Sequence, residues 1–188
     1  MVSLNFHGLL SREESALAII DVQEKLFPLI YDKEKVLENL KKLIQFAKIV
    51  GMPIILTEQY PSGLGRTISE IKEILPDAQI IEKVEFSCFG SEKFRDVLRD
   101  LDVKNLIVAG IETHICIAQT AIEGVSNGYR VCVVSDATSS RRLEDKNIAI
   151  ERMKQNNVIV ASTEMLIYEL LRRAGTQEFK ETLKLIKA

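Results

Sequence analysis

Six short, dominantly apolar runs punctuate this chain, and most of the stretches between them repeat apolar positions every three or four residues. The runs fall at 16–21, 53–57, 79–81, 106–111, 130–136 and 158–161. Each is too short for a helix and lacks the alternation of a half-exposed strand, so each predicts a strand buried on both faces. Between the first two, Val36, Leu37, Leu40, Leu43, Ile44, Ala47 and Val50 trace an amphipathic helix closed by Gly51. After the second run, 58–66 reads as a loop with Pro61, Gly63 and Gly65, and a short helix over 68–75 stops at Pro76. Ser91 caps a helix to 101, a helix carrying Cys116 ends near Asn127-Gly128, and another covers 143–156. Thr163 caps a helix to 173, and Thr176 opens a last one. Strands alternate with helices throughout. That predicts an α/β fold, a three-layer α/β/α arrangement with a six-stranded, mainly parallel sheet. No repeat, low-complexity tract or linker interrupts it, so residues 1–188 read as one domain.

Composition adds exclusions. A net charge of −2 offers no basic surface to nucleic acid or an anionic membrane. No apolar run approaches the ~18–20 residues of a membrane span, and residues 1–12 lack the order of a secretory signal. Three cysteines without a CxxC spacing predict a reducing, cytoplasmic setting. With only His7 and His114 a zinc site is poorly supplied, and no metal is expected. No GxGxxG follows the first strand, and Gly63-Leu64-Gly65 lacks the Lys-Ser/Thr of a phosphate loop, so no cofactor is expected either.

Ligands of such a sheet bind beyond the C-terminal ends of its strands. At that edge the sequence places Asp21 after strand 1, Thr57-Glu58-Gln59-Tyr60 after strand 2 and Lys83 after strand 3. Strand 4 delivers Glu112 and Cys116, and strand 5 ends in Asp136. Cys116 reads as lying on the first turn of a helix, where free N–H groups and the helix dipole favour a thiolate. A thiol, a carboxylate and an ammonium on one edge make a nucleophile, a proton acceptor and a charge that tunes both. The bland readings are a buried structural cysteine, a capping aspartate and a solvated lysine.

Asp21 in Ile-Ile-Asp-Val-Gln, Lys83 in Glu-Lys-Val-Glu-Phe-Ser-Cys-Phe and Cys116 in Gly-Ile-Glu-Thr-His-Ile-Cys resemble the Asp–Lys–Cys triad of the isochorismatase-like cysteine hydrolases. The resemblance spans about residues 16–171. The segments at 57–65 and 135–141 are most similar to the isochorismatase domain-containing subgroup. The resemblance implies a hydrolase of small-molecule amide or carbamoyl C–N bonds, with Asp21, Lys83 and Cys116 catalytic and a thioester on Cys116. It also implies a cis peptide at Ile111–Glu112, backbone N–H groups of Glu112 and Cys116 as an oxyanion hole, and a homo-oligomer, dimer or tetramer. Nicotinamidases of this superfamily carry an Asp-x-His metal pattern after strand 2, and Thr57-Glu58-Gln59-Tyr60 departs from it. Gln23, Phe27, Tyr60, Phe86 and Phe89 are candidates to line the substrate pocket, with Gln23 placed to contact Lys83. Leu26, Phe27, Leu29 and Ile30 could serve an interface or the core. Cys88 and Cys132 read as packing, and His114 as facing solvent or a neighbouring subunit. Three alternatives stay open: a catalytically silent scaffold that keeps the fold, a vinyl ether hydrolase of the isochorismatase type, and a thiol redox protein.

Overall fold

The computed structural model describes residues 8–187. Residues 1–7, with His7 and the start of the stretch searched for a secretory signal, lie outside it. Six strands form one sheet: β1 (Ser15–Ile20), β2 (Ile54–Gln59), β3 (Ile80–Lys83), β4 (Asn105–Ile111), β5 (Arg130–Ser139) and β6 (Ile159–Ala161). Their order is β3-β2-β1-β4-β5-β6, and every pairing is parallel. The expectation of a mainly parallel sheet thus becomes a wholly parallel one.

Alternate residues of each strand enter two separate cores, which is why the strands read as unbroken apolar runs. Leu17, Ile19, Leu56, Ile107, Ala109, Cys132 and Val134 face one side, with α1 (Lys33–Val50) and α7 (Thr163–Leu171) packed on them. Ala16, Ala18, Ile20, Ile55, Ile81, Val108 and Val133 face the other. There α4 (Glu92–Asp100), α5 (Ala118–Ser126) and α6 (Leu143–Gln155) cover the sheet. Two short helices, α2 (Pro61–Leu64) and α3 (Ser69–Lys72), fill the connection from β2 to β3, and α8 (Gln177–Lys187) closes the chain against α1. Phe27 and Ile30 belong to the first core, whereas Leu29 stays exposed.

Two differences from the sequence reading bear on function. Ser162, not Thr163, caps α7 by accepting from the Met165 N–H at 3.3 Å. β5 does not stop at 136. Its pairing with β4 slips after Val108↔Val133 and resumes at Gly110↔Thr138 and Ile111↔Ser139. The polar run after Asp136 looks like a loop in sequence, yet it carries a second length of strand to the edge where chemistry is expected.

The order of strands reverses direction between β1 and β4, the outward crossovers diverging on either side. Open parallel sheets bind their ligands at such a switch point. Gly110 lets the two strands meet there. Its φ is +113°, and a Cβ on it would lie 2.2 Å from the Ile20 carbonyl oxygen, closer than any side chain tolerates. The peptide bond from Ile111 to Glu112 is cis.

Candidate active site

β1 ends and the chain turns at Asp21, whose φ of +55° lies in the left-handed region that aspartate tolerates better than most residues. The side chain is fully buried. Its Oδ2 lies 2.7 Å from the Nζ of Lys83, the last residue of β3. Its Oδ1 accepts from the Thr57 hydroxyl, also at 2.7 Å. The Lys83 ammonium has further acceptors in Gln59 Oε1 at 2.8 Å and in the carbonyl oxygens of Glu85 and Phe86, both at 3.2 Å. Burial alone would pull this lysine down. Asp21 and the nearby Cys88 and Cys116 outweigh it, and the net shift is upward, so Lys83 is held as a cation.

Cys116 sits on a π-helical turn, Thr113–Ile117, between β4 and α5. Single π turns inside helices recur at functional sites. The late part of β5 ties this turn down: Thr138 and Thr113 share a hydroxyl contact at 3.0 Å. Ser140 Oγ accepts from the His114 N–H at 3.4 Å and lies 2.9 Å from its ring Nδ1. His114 is therefore half-buried against β5 rather than turned to solvent.

The Cys116 thiol is buried, and Asp21 and Lys83 are the main charged groups acting on it. Burial, followed by the Asp21 carboxylate, raises its proton affinity far above that of a free thiol, and Lys83 only partly opposes them. This corrects the sequence reading, in which the helix end favours a thiolate. Burial comes first in holding the proton on sulfur, and the Asp21 carboxylate adds to it. Burial pushes Cys88 up to about 12, with Lys83 opposing and Asp21 adding to the rise. The Cys88 backbone N–H donates to the Thr120 hydroxyl at 2.9 Å. Cys88 packs as expected, but directly behind the site. Cys132, inside β5, is raised to about 12, chiefly by burial.

The remaining candidates scatter. Gln23 is buried but does not reach Lys83. Its Nε2 donates to the Gln59 and Gly65 carbonyls at 3.0 and 2.7 Å, and its Oε1 accepts from the Gln59 N–H at 2.8 Å. The residue that touches the lysine is Gln59, which Gln23 holds in place. Phe27 and Phe89 are core: Phe89 stacks edge-on with Phe94 and tilts against Tyr129. Phe86 is exposed, and only its carbonyl serves Lys83. Tyr60 lines a cavity of about 880 Å³ beside the lysine, along with Arg66, Glu82, Lys83 and Glu92. Arg66 bridges Glu82 and the buried Glu58 in its wall. Burial would raise Glu58, but Thr67 and Arg66 hold it below the usual carboxylate range. Asp136 makes no hydrogen bond to Asp21, Lys83 or Cys116 among those of the described residues and is engaged by α7 instead. Its Oδ1 accepts from the N–H and hydroxyl of Thr163 at 2.7 and 2.8 Å, which anchors α7. Glu112 keeps its backbone at the switch point, while its carboxylate is held by Arg141 Nε at 3.0 Å.

Sequence reasoning places Thr57 and Gln59 at the strand edge but gives them no role, because 58–66 reads there as loop; both lie in β2, which runs to Gln59.

A model of the isochorismatase domain matches residues 15–165. Among curated proteins, the secreted isochorismatase effector Isc1 of Phytophthora sojae is 36% identical over 184 residues, covering 96% of this chain and 88% of its own length. Among solved structures, one named as MAR1 ribonuclease from Caenorhabditis elegans superposes with a TM-score of 0.89 at 36% identity, covering 96% of this chain and 93% of the other. The Escherichia coli YcaC product, described as an octameric hydrolase of unknown specificity, gives a TM-score of 0.86 at 26% identity, with 97% and 89% covered.

Proposed function

Since the chain belongs to the isochorismatase family, we propose that this isochorismatase-family hydrolase cleaves a small-molecule amide or carbamoyl C–N bond through a thioester on Cys116. The observation that carries the reading is the buried Asp21 carboxylate, which meets the Lys83 ammonium at 2.7 Å, the two being the main charged groups that act on the buried Cys116 thiol.

In the proposed cycle Asp21 takes the thiol proton, and the sulfur attacks the carbonyl carbon. The backbone N–H groups of Glu112 and Cys116 receive the oxyanion, a device worth ~3–4 kcal/mol per donor where one has been removed. Asp21 returns its proton to the nitrogen as the C–N bond breaks, leaving the thioester. Asp21 then takes a proton from water, the hydroxide adds to the thioester carbon, and the C–S bond breaks. The sulfur leaves with the proton from Asp21, and the site is restored. Lys83 keeps its charge throughout and steadies whichever neighbour is anionic. The raised proton affinity of Cys116 supports a coupled transfer, in which sulfur is deprotonated as it attacks.

We also propose a homo-oligomer, supported by the octameric assembly of the bacterial YcaC relative. A reducing, cytoplasmic setting is supported by three cysteines that are all unpaired, although one relative is named a secreted effector. Among the described residues no helix is long and apolar enough to cross a membrane.

The test is a panel of primary amides and N-carbamoyl compounds with wild type, Cys116→Ala and Asp21→Asn. An oligoribonucleotide belongs in it because the nematode relative is named a ribonuclease. Acyl-enzyme trapped on Cys116, and no turnover in either folded variant, is the expected result. Substantial amide hydrolysis by Cys116→Ala would sink the reading, and an inert wild type with an unreactive thiol would favour the silent scaffold.

A further inference from the structure

Thr57 belongs to none of the motifs that point to the triad, yet its hydroxyl touches the triad directly. It is fully buried at the end of β2 and donates to Asp21 Oδ1 at 2.7 Å. Lys83 occupies Oδ2 at the same distance, so each carboxylate oxygen has one protein donor. On its other side Thr57 borders the Cys88 thiol, a weak donor that is neutral at working pH. The hydroxyl therefore has one ionised partner to donate to, which fixes its direction. The titratable groups facing Asp21 are Lys83 from β3, Cys88 from the turn after β3 and Cys116 from the π turn.

We propose that Thr57 is a positioning residue of this site. By donating to Oδ1 it sets how readily Asp21 takes the proton of Cys116 and how readily it gives that proton up. The inference rests on the reading of Asp21 and Cys116 given above. A hydrogen bond to a carboxylate favours its charged form. Loss of the Thr57 donor makes Asp21 the stronger base, so the shared proton moves from sulfur towards the carboxylate. Two effects of opposite sign follow. More of the sulfur is thiolate, so it reacts faster with an electrophile that needs no proton. An amine leaving group receives its proton from a weaker acid, so amide hydrolysis slows. A residue that served only packing would slow both.

The experiment follows alkylation of Cys116 by iodoacetamide from pH 5 to 9, resolved by peptide mass, in wild type, Thr57→Val, Thr57→Ser and Asp21→Asn. Circular dichroism confirms that each is folded. Thr57→Val should react about tenfold faster where the pair holds one proton, with its acid limb about one pH unit higher. Thr57→Ser should restore the wild-type profile. If Thr57→Val matches wild type while Asp21→Asn departs from it, Thr57 is not a positioning residue and the reading of the triad stands. If Asp21→Asn also leaves the profile unchanged, that reading itself falls. If both Thr57 variants slow the reaction, the role is packing and the proposal is overturned.

Discussion

Replacing Lys83 by Met is the most informative single perturbation of this protein. The Lys83 and Asp21 side chains are both fully buried, and their charged atoms lie 2.7 Å apart. At an effective dielectric constant of about 20 that separation corresponds to roughly 6 kcal/mol of attraction, set against several kcal/mol of desolvation for each ion. Removing one partner strands the other. Gln59 Oε1 and two carbonyls lose their donor, and among the described residues Asp21 keeps the Thr57 hydroxyl as its side-chain donor. The expected loss at pH 8 is about 3–5 kcal/mol, the range for a broken buried pair.

The pH dependence is the sharper part. In the wild type the lysine is raised, so its contribution is complete below its unfolded value of about 10.4 and is lost only above that. Between pH 5 and 8 the Lys83 contribution is flat. In Lys83→Met the unpaired buried carboxyl holds its proton to higher pH than in the unfolded chain. Its stabilising, protonated form is therefore lost as pH rises. The loss relative to wild type should be about 2 kcal/mol smaller at pH 5 than at pH 8. Urea titrations at both pH values, at one fixed protein concentration, read this from the midpoint at constant slope. The double variant Asp21→Asn/Lys83→Met, which buries no charge, should recover most of the loss. A loss independent of pH, or a double variant no better than the single one, would refute the argument.

Other predictions concern separate features. Gly110→Ala should cost about 3 kcal/mol or more, because its Cβ meets the Ile20 carbonyl in a left-handed backbone, and a thermal melt reads it; an unchanged midpoint would mean that β1 and β4 can separate cheaply. Asp136→Ala should cost about 1 kcal/mol through the lost anchor of α7 while leaving Cys116 alkylation untouched; a changed alkylation rate would place Asp136 in the site after all. Asp21→Asn should speed alkylation of Cys116 at pH 7, because the carboxylate is second only to burial in holding its proton; an unchanged or slower rate would mean that the carboxylate does not hold that proton on sulfur. Cys132 should stay unmodified until the protein unfolds; labelling it in the native state would contradict its burial.

The fold is legible in the sequence because a parallel sheet covered on both faces leaves continuous apolar runs, and the strand ends announce Asp21, Lys83 and Cys116. What escapes is whatever depends on direction rather than position. Gln23 and Gln59 are both polar and both near the edge, and only the three-dimensional hydrogen bonds show which one holds the other and which meets the lysine. Asp136 ends an apolar run just as Asp21 does, but the slip in β5 turns it towards Thr163. Phe27 and Phe89 fit a pocket or a core equally well by composition. The proton affinity of Cys116 runs opposite to the sequence reading because the helix end is weighed there without the burial of the thiol and the nearby Asp21 carboxylate.

The strand order also has a consequence for how this protein comes to exist. Asp21 and Lys83 are 62 residues apart in sequence, and Cys116 reaches them only through the β1–β4 pairing at the centre of the sheet. Every pairing in the sheet is parallel, so no hairpin can nucleate locally, and assembly has the high contact order of a slow folder. A chain emerging from the ribosome holds β1, β2 and β3 well before β4 is available. Until β4 inserts, the Asp21–Lys83 pair lacks its cover and the thiol is ordinary and exposed. Reactivity of Cys116 in a nascent or partly folded chain would therefore record the clock of sheet closure.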